Sequence, residues 1–468
     1  VSNHSKQSSG TQAIIDGWGY TEDTLTSRGG LVLFSRYLRG IEILPHVGRL
    51  FGSIRKNKKG ARVEEIIKQL ICYFIDGTSE RLSGFDEVKG DEGYAWSIET
   101  PEERLISSHT VKRFLRKMWW KRMWLFRVML QKLFIWRLQV EKPEVIILGV
   151  DAVVFDNRHA RVRHGVRKTY RRIRGFQPLL MTWKGYVIDG ILREGNKTGN
   201  QEDIAQKMIG HVVGEIRNHY RTDIPIIVRI DAGFFDQEVF DYMERRGVGY
   251  TNTGKFFKTM KEYLRYLDPG SFQEYENERQ VWEYVEFADR RAAWDTHRRV
   301  FYLKPRCEEG TQQLLLEFDR PEMLIYTNIG MGEAIDDLLK KAGHEELLKA
   351  QNIIELHHGR GCDELVFRAV KEFGDERLPF KRFNMNSAYF HIMLLSFFLH
   401  EAFKYDVGKV VVSVTAYATT VRRKLIDIAA KITRHAKQTT FRVTRTQGGR
   451  INIEELWRLS GDPPIFAW

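Results

Sequence analysis

Cysteine is nearly absent from this chain. Cys72, Cys307 and Cys362 are the only three in 468 residues, none paired at metal-ligand spacing, so neither a disulfide framework nor a zinc knuckle is indicated. Long apolar runs are missing too. The longest apolar helical stretch, Ala388 to Phe403, is broken by His391, His400 and Glu401 and reads as a buried helix rather than a membrane span. The first residues, Val1-Ser-Asn-His-Ser-Lys-Gln7, lack a signal-peptide core, so a cytoplasmic, nucleoid-associated location and no membrane partner are expected. There are no internal repeats and no long low-complexity tracts.

Acidic residues are locally missing as well. Between Arg104 and Val140 there is no Asp or Glu, yet Lys112, Arg113, Arg116, Lys117, Lys121, Arg122, Arg127, Lys132 and Arg137 all occur. A second acid-free stretch from Asn157 to Gly185 carries Arg158, Arg161, Arg163, Arg167, Lys168, Arg171, Arg172 and Arg174. The whole chain has 74 Lys and Arg against 61 Asp and Glu, a net charge of +13. An excess clustered in this way favours a polyanionic partner, because each neutralised phosphate releases counterions.

What is present is ample apolar material: 43% of residues are hydrophobic, enough for a large core and two or three domains. Three- and four-residue apolar spacing predicts helices over Leu31–Leu38, Arg62–Ile75 and Val111–Leu138, the last capped from Ser107–Thr110. Within it, Trp119, Trp120, Trp124 and Trp136 read as packing residues. At Glu144 the texture turns to strands: Val145–Val150, Phe176–Thr182, Tyr186–Leu192 and Pro225–Ile230. A helix over Glu202–Arg217 separates the last two, and another, Gln237–Arg246, is capped by Asp236 and stopped by Gly247. Residues 280–287, 299–303 and 323–327 are β-rich, with an arginine cluster at Arg290, Arg291, Arg298 and Arg299. Helices resume over 335–341, 362–373 and 387–403.

Three acidic residues stand out. Asp151 ends the apolar run Val145-Ile-Ile-Leu-Gly-Val150, and Asp231 ends Ile224-Pro-Ile-Ile-Val-Arg-Ile230. Asp156 and Asp236 read as loop and cap residues. Glu364 lies in His357-His-Gly-Arg-Gly-Cys-Asp-Glu364, seven residues before Lys371. On a continuous helix His357, Arg360, Glu364 and Lys371 fall within about 60° of arc, although Gly359 and Gly361 weaken the first turn. Two carboxylates at strand ends and one on a helix can hold two hard cations about 3.5–4 Å apart for in-line attack on a phosphodiester.

The helical segment resembles the signature of DDE transposases of bacterial insertion sequences: tyrosine, two residues, arginine, three residues, glutamate, six residues, lysine. His357 stands here in place of the tyrosine. Ile147-Leu-Gly-Val-Asp151 is similar to that family's first-aspartate strand. Val228-Arg-Ile-Asp-Ala-Gly-Phe-Phe-Asp236 with Arg246-Gly-Val-Gly-Tyr250 resembles its second-aspartate block. Gly175-Phe-Gln-Pro-Leu-Leu180, Arg193-Glu-Gly-Asn196 and Lys371-Glu-Phe-Gly374 match its connecting segments. Eighty residues separate the aspartates and 133 lead on to the glutamate, which leaves room for an insertion.

The resemblance implies an α/β chain with an RNase H-like catalytic core and a β-rich insertion, preceded by an all-helical N-terminal DNA-binding region. The corresponding segments are 1–140 for the helical region, 141–255 for the first part of the core, 256–345 for the insertion, 346–410 for the second part of the core, and 411–468 for a basic C-terminal region. It further implies catalysis by Asp151, Asp231 and Glu364 on two Mg²⁺ ions, which Mn²⁺ can replace. His357, Arg360 and Lys371 are then expected to contact DNA, together with Trp282, Trp294 and Arg298 of the insertion, where a flipped base can stack on a tryptophan. The expected partners are double-stranded DNA (terminal inverted repeats and target) and a second copy of the chain. Two rival readings remain: a transposase-derived DNA-binding protein without catalysis, and a metal-dependent nuclease that cleaves without joining.

Overall fold

The computed structural model describes residues 15, 17–55, 60–160, 162–197, 199, 201–277, 280–306, 322–436 and 438–467. Of the positions named above, residues 1–7, Arg161 and Cys307 lie outside them. The fold is mixed α/β around a large mixed sheet of nine strands: β1 Ile146–Ala152, β2 Leu179–Trp183, β3 Tyr186–Ile191, β4 Ile226–Ile230, β5 Gly249–Thr253, β6 Gln273–Asn277, β7 Gln280–Asp289, β8 Arg298–Pro305 and β9 Met323–Thr327. Their order across the sheet is β6-β7-β8-β9-β5-β4-β1-β2-β3. β1, β4 and β5 run parallel, while β1–β2–β3 form an antiparallel meander. The strands from the β-rich stretch continue this same sheet, since β9 pairs antiparallel with β5.

The central strands are apolar on nearly every residue because both faces are covered. Ile146, Leu148 and Val150 belong to the larger core. Ile147 packs on a smaller cluster that includes Trp282, Phe301, Ile353 and Ile354. The helices that matter for the site are α1 Ser108–Arg116, α2 Trp120–Glu141, α3 Ile204–His219, α4 Ala350–His358, α5 Arg360–Gly374 and α6 Phe383–Asp406. α6 is buried along most of its length. Among the described residues no helix is long and apolar enough to cross a membrane.

Two expectations change here. The single helix read over Val111–Leu138 is two, α1 and α2. Ser107 caps α1 by accepting from Thr110 N, but Trp119 is extended and the Met118 carbonyl accepts from Asn384 Nδ2 at 2.5 Å. The N-terminal segment is also not all-helical. Thr24–Thr26 pairs antiparallel with Ala430–His435, which pairs in turn with Gln438–Arg442. Arg422 ties this C-terminal segment to the helix Val63–Asp76 and to α5, donating to the carbonyls of Phe74 and Phe373.

α2 runs along the β3 edge in a defined direction. Arg127 forms a two-pronged pair with buried Asp189, and ten residues on, Arg137 lies over the Tyr186 ring. β3 runs from Tyr186 towards Ile191, which pairs with Leu179 opposite Ala152. The start of α2 therefore points to the end of the sheet that carries Asp151.

Candidate active site

The strand register builds the first half of the site. Val150 is opposite Ile230 in the parallel ladder of β1 and β4, so the next residues, Asp151 and Asp231, stand on neighbouring strands about 4.8 Å apart. Both share a sheet face with Gly149 and Arg229, two residues earlier. Asp231 closes its strand by accepting Gly233 N at 2.8 Å, which starts the 3₁₀ turn Ala232–Phe234.

The second half is a helix locked onto that face. Asp363, on α5, accepts from Thr182 Oγ1 at 2.9 Å and from Arg229 Nη2 at 3.1 Å. A Cβ on Gly149 would lie 2.5 Å from the Asp363 carboxyl carbon, so only glycine lets the helix approach this closely. Burial raises the Asp363 carboxyl above its usual range, against the Arg229 charge. One residue further on, Glu364 turns outward, its side chain 62% exposed.

The carboxylates meet electrostatically at Asp151. Burial, then the charge of Asp231, push its pKa up to about 7 against the pull of Arg360, and Glu364 adds to the rise. Arg360 bridges two of the three, its guanidinium 3.8 Å from Asp151 and 3.2 Å from Glu364. Lys371, two turns beyond Glu364, pairs with Glu376 at 2.8 Å. Among the described residues no three His, Cys, Asp or Glu side chains close into a metal-holding group. In donor type and charge the set nevertheless suits a hard divalent cation: all its ligands are oxygen, and their repulsion is what positive charge relieves.

Asp151 makes the stability of the fold depend on pH. Its folded pKa, about 7, lies above the ordinary 3.8, so its stabilising contribution is complete below the lower value and is lost as pH rises through the upper one. A divalent cation held beside Asp151 would take the proton's place. Mg²⁺ is therefore expected to raise the Tm more at pH 8 than at pH 5, and Asp151→Asn to erase the difference, as read by thermal melts with and without Mg²⁺. A Tm shift of equal size at both pH values would contradict this.

The structure buries four of the expected DNA contacts. His357 is buried, and its ring nitrogens meet Thr251 and Thr253 of β5, each at 3.1 Å. Burial, reinforced by Arg360, lowers its pKa to about 3, so it is a neutral clamp on the sheet rather than a phosphate ligand. Trp282 is fully buried in the smaller core. Trp294 packs among Phe235, Phe240 and Tyr326. Arg298 is buried between Asp241 and Glu244, at 2.5 and 3.0 Å. Trp294→Ala should thus cost about 3–5 kcal/mol of stability in a urea titration, with DNA affinity of the folded protein unchanged; selective loss of DNA binding would restore the surface role.

The packing assigned to Trp119, Trp120 and Trp124 also reverses: they are 45%, 73% and 45% exposed, and only Trp136 is buried. Asp236 caps its helix as read, accepting from Glu238 N, whereas Asp156 is not a loop residue: it ends the short strand Phe155–Asp156 and accepts from Arg158. Asp363, Arg229 and Thr182 escaped the sequence reading. Gly149 was their one signal, since a glycine within a buried strand marks close approach of another element.

One solved structure, titled as a cryo-EM structure of the piggyBac transposase synaptic complex with hairpin DNA, is 13% identical. The match covers 87% of this chain and 83% of that one at a TM-score of 0.35. No curated protein sequence matches. A family model described as transposase DDE domain group 1 matches residues 19–452. The chain spanning these carboxylates belongs to the DDE transposase domain group 1 family.

Proposed function

We propose that this chain is the transposase of an insertion sequence, cutting DNA at the element's ends and joining the freed 3′-hydroxyls to a target. In this reading β3-β2-β1-β4-β5, with α4 and α5, form an RNase H-like core and β6–β9 its insertion. Asp151, Asp231 and Glu364 would hold two Mg²⁺, replaceable by Mn²⁺. Such a pair of ions activates the attacking water or hydroxyl and offsets charge on the departing oxygen.

The chain's own groups do the positioning. Asp363 and His357 fix α5 and α4 against the sheet, so that Glu364 is presented beside the two aspartates. Arg360 and Lys371 offer cations on the same helix to the backbone phosphates on either side of the reacting one. A homodimer bridging two element ends is part of the proposal by family analogy.

The observation that supports this reading is the ladder pairing of Val150 with Ile230, after which Asp151 and Asp231 follow on neighbouring strands, with Glu364 among the charges that raise the Asp151 pKa. The test is incubation with Mg²⁺, a labelled duplex ending in the element's terminal repeats, and a target plasmid. Joined products are expected. Cleavage without joining would make the chain a nuclease, and binding without cleavage an inert DNA-binding descendant.

A further inference from the structure

Three large aromatic side chains, Trp119, Trp120 and Trp124, are exposed together within six residues of chain. Trp119 and Trp120 meet edge to face, 6.1 Å between centroids, with the Lys121 ammonium 5.6 and 5.3 Å from the two rings. Trp124, one turn into α2, lies beside His211 with the Arg127 guanidinium 5.0 Å from its ring. The surroundings carry one sign of charge. Arg113, Arg116, Lys117 and Lys121 are exposed and form no ion pair among the described residues. Arg113 and Lys117 also line a groove beside α1 in which Arg55, Arg62 and Arg104 outnumber Glu65 and Glu103. The groove's last lining residue, Lys117, precedes Trp119 by two positions.

The location matters. Arg127 pairs with Asp189, and Trp120 lies seven residues before it, about 10 Å further along α2 towards the sheet end bearing Asp151. Asn384, at the start of α6, holds the Met118 carbonyl and so pins the turn that displays the rings. The patch is thus anchored at one flank of the catalytic end rather than on a remote face.

We propose that Trp119, Trp120 and Trp124 form a stacking platform for unpaired bases of a DNA strand whose phosphates follow the α1 groove. Duplex DNA hides its base faces and offers a tryptophan no partner, whereas a frayed or single-stranded end exposes them. Indole faces stack on any base, and flanking cations bind the backbone without sequence preference. Charge complementarity selects a nucleic acid over an apolar protein surface, because Arg113, Arg116 and Lys117 precede the rings along the chain and Lys121 lies over two of them. This inference rests on the proposed action on DNA and adds which form of the strand is held, and where.

The test compares fluorescence anisotropy of a blunt duplex and of the same duplex with a single-stranded tail, at one salt concentration. For the folded full chain, replacing Trp119, Trp120 and Trp124 with Ala should weaken binding of the tailed DNA at least about tenfold and that of the blunt duplex by no more than about twofold. The matching Phe variant should keep most of the tail affinity, which separates stacking from loss of fold. Equal losses on both DNAs, or none on either, would overturn the platform while leaving the proposed function standing. Wild-type protein that binds neither DNA would overturn both. Concentration-dependent dimers that the Ala variant abolishes, with tail binding unchanged, would overturn it in favour of a contact between copies.

Discussion

Asp231→Asn is expected to lower DNA cleavage on the order of 10³-fold while duplex affinity changes by no more than about twofold. The substitution is chosen because the local fold survives it. Asp231 Oδ1 accepts the Gly233 N–H, and an asparagine carbonyl can accept the same bond, so the turn after β4 keeps its cap. What is lost is one negative charge beside Asp151. Two readouts should move together: cleavage in a gel assay, and the elevated pKa of Asp151, which Asp231 helps to sustain. The loss of stability as pH rises through neutrality should shift to lower pH. Cleavage within tenfold of wild type would remove Asp231 from the ligand set.

Asp363→Ala should be the most damaging single change to the architecture around the site. It leaves the Arg229 guanidinium, on a side chain only 12% exposed, without its carboxylate under α5, and breaking a buried pair in this way costs about 3–5 kcal/mol. Asp363→Asn, which can still accept from Thr182, should cost less. Because Glu364 follows directly on the same helix, the Ala variant should also cleave poorly at temperatures where it remains folded. Urea titration gives the stability and a single-turnover assay the activity. A stability loss below about 1 kcal/mol with normal cleavage would mean the latch does not hold the helix.

The two aspartates were legible because each ends a run of apolar residues, and a charge can leave the core only at such an end. The nine-stranded register was not legible. β1 is Ile-Ile-Leu-Gly-Val-Asp-Ala, buried on both faces, so alternation could not say which face met a helix. That choice came from Gly149 and Asp363, 214 residues apart in the chain. Arg298 looked like part of a basic surface because its acidic partners, Asp241 and Glu244, lie more than fifty residues upstream. His357 fell on the expected helical stripe, but the helix breaks at Gly359, and the ring turns inward to two β5 threonines. The tryptophans of α2 divided for a related reason: Trp136 sits deep along the helix against the core, whereas Trp119 and Trp120 lie at its exposed start.

The central claim, that two strand-end aspartates and a helical glutamate form one cation site, is tested most directly by crystals soaked in Mn²⁺ and measured at the manganese edge. The account predicts two anomalous peaks about 3.5–4 Å apart, with Asp151, Asp231 and Glu364 all among their ligands. A single peak elsewhere, or manganese at Asp151 with Glu364 still held by Arg360 and outside the coordination sphere, would contradict it.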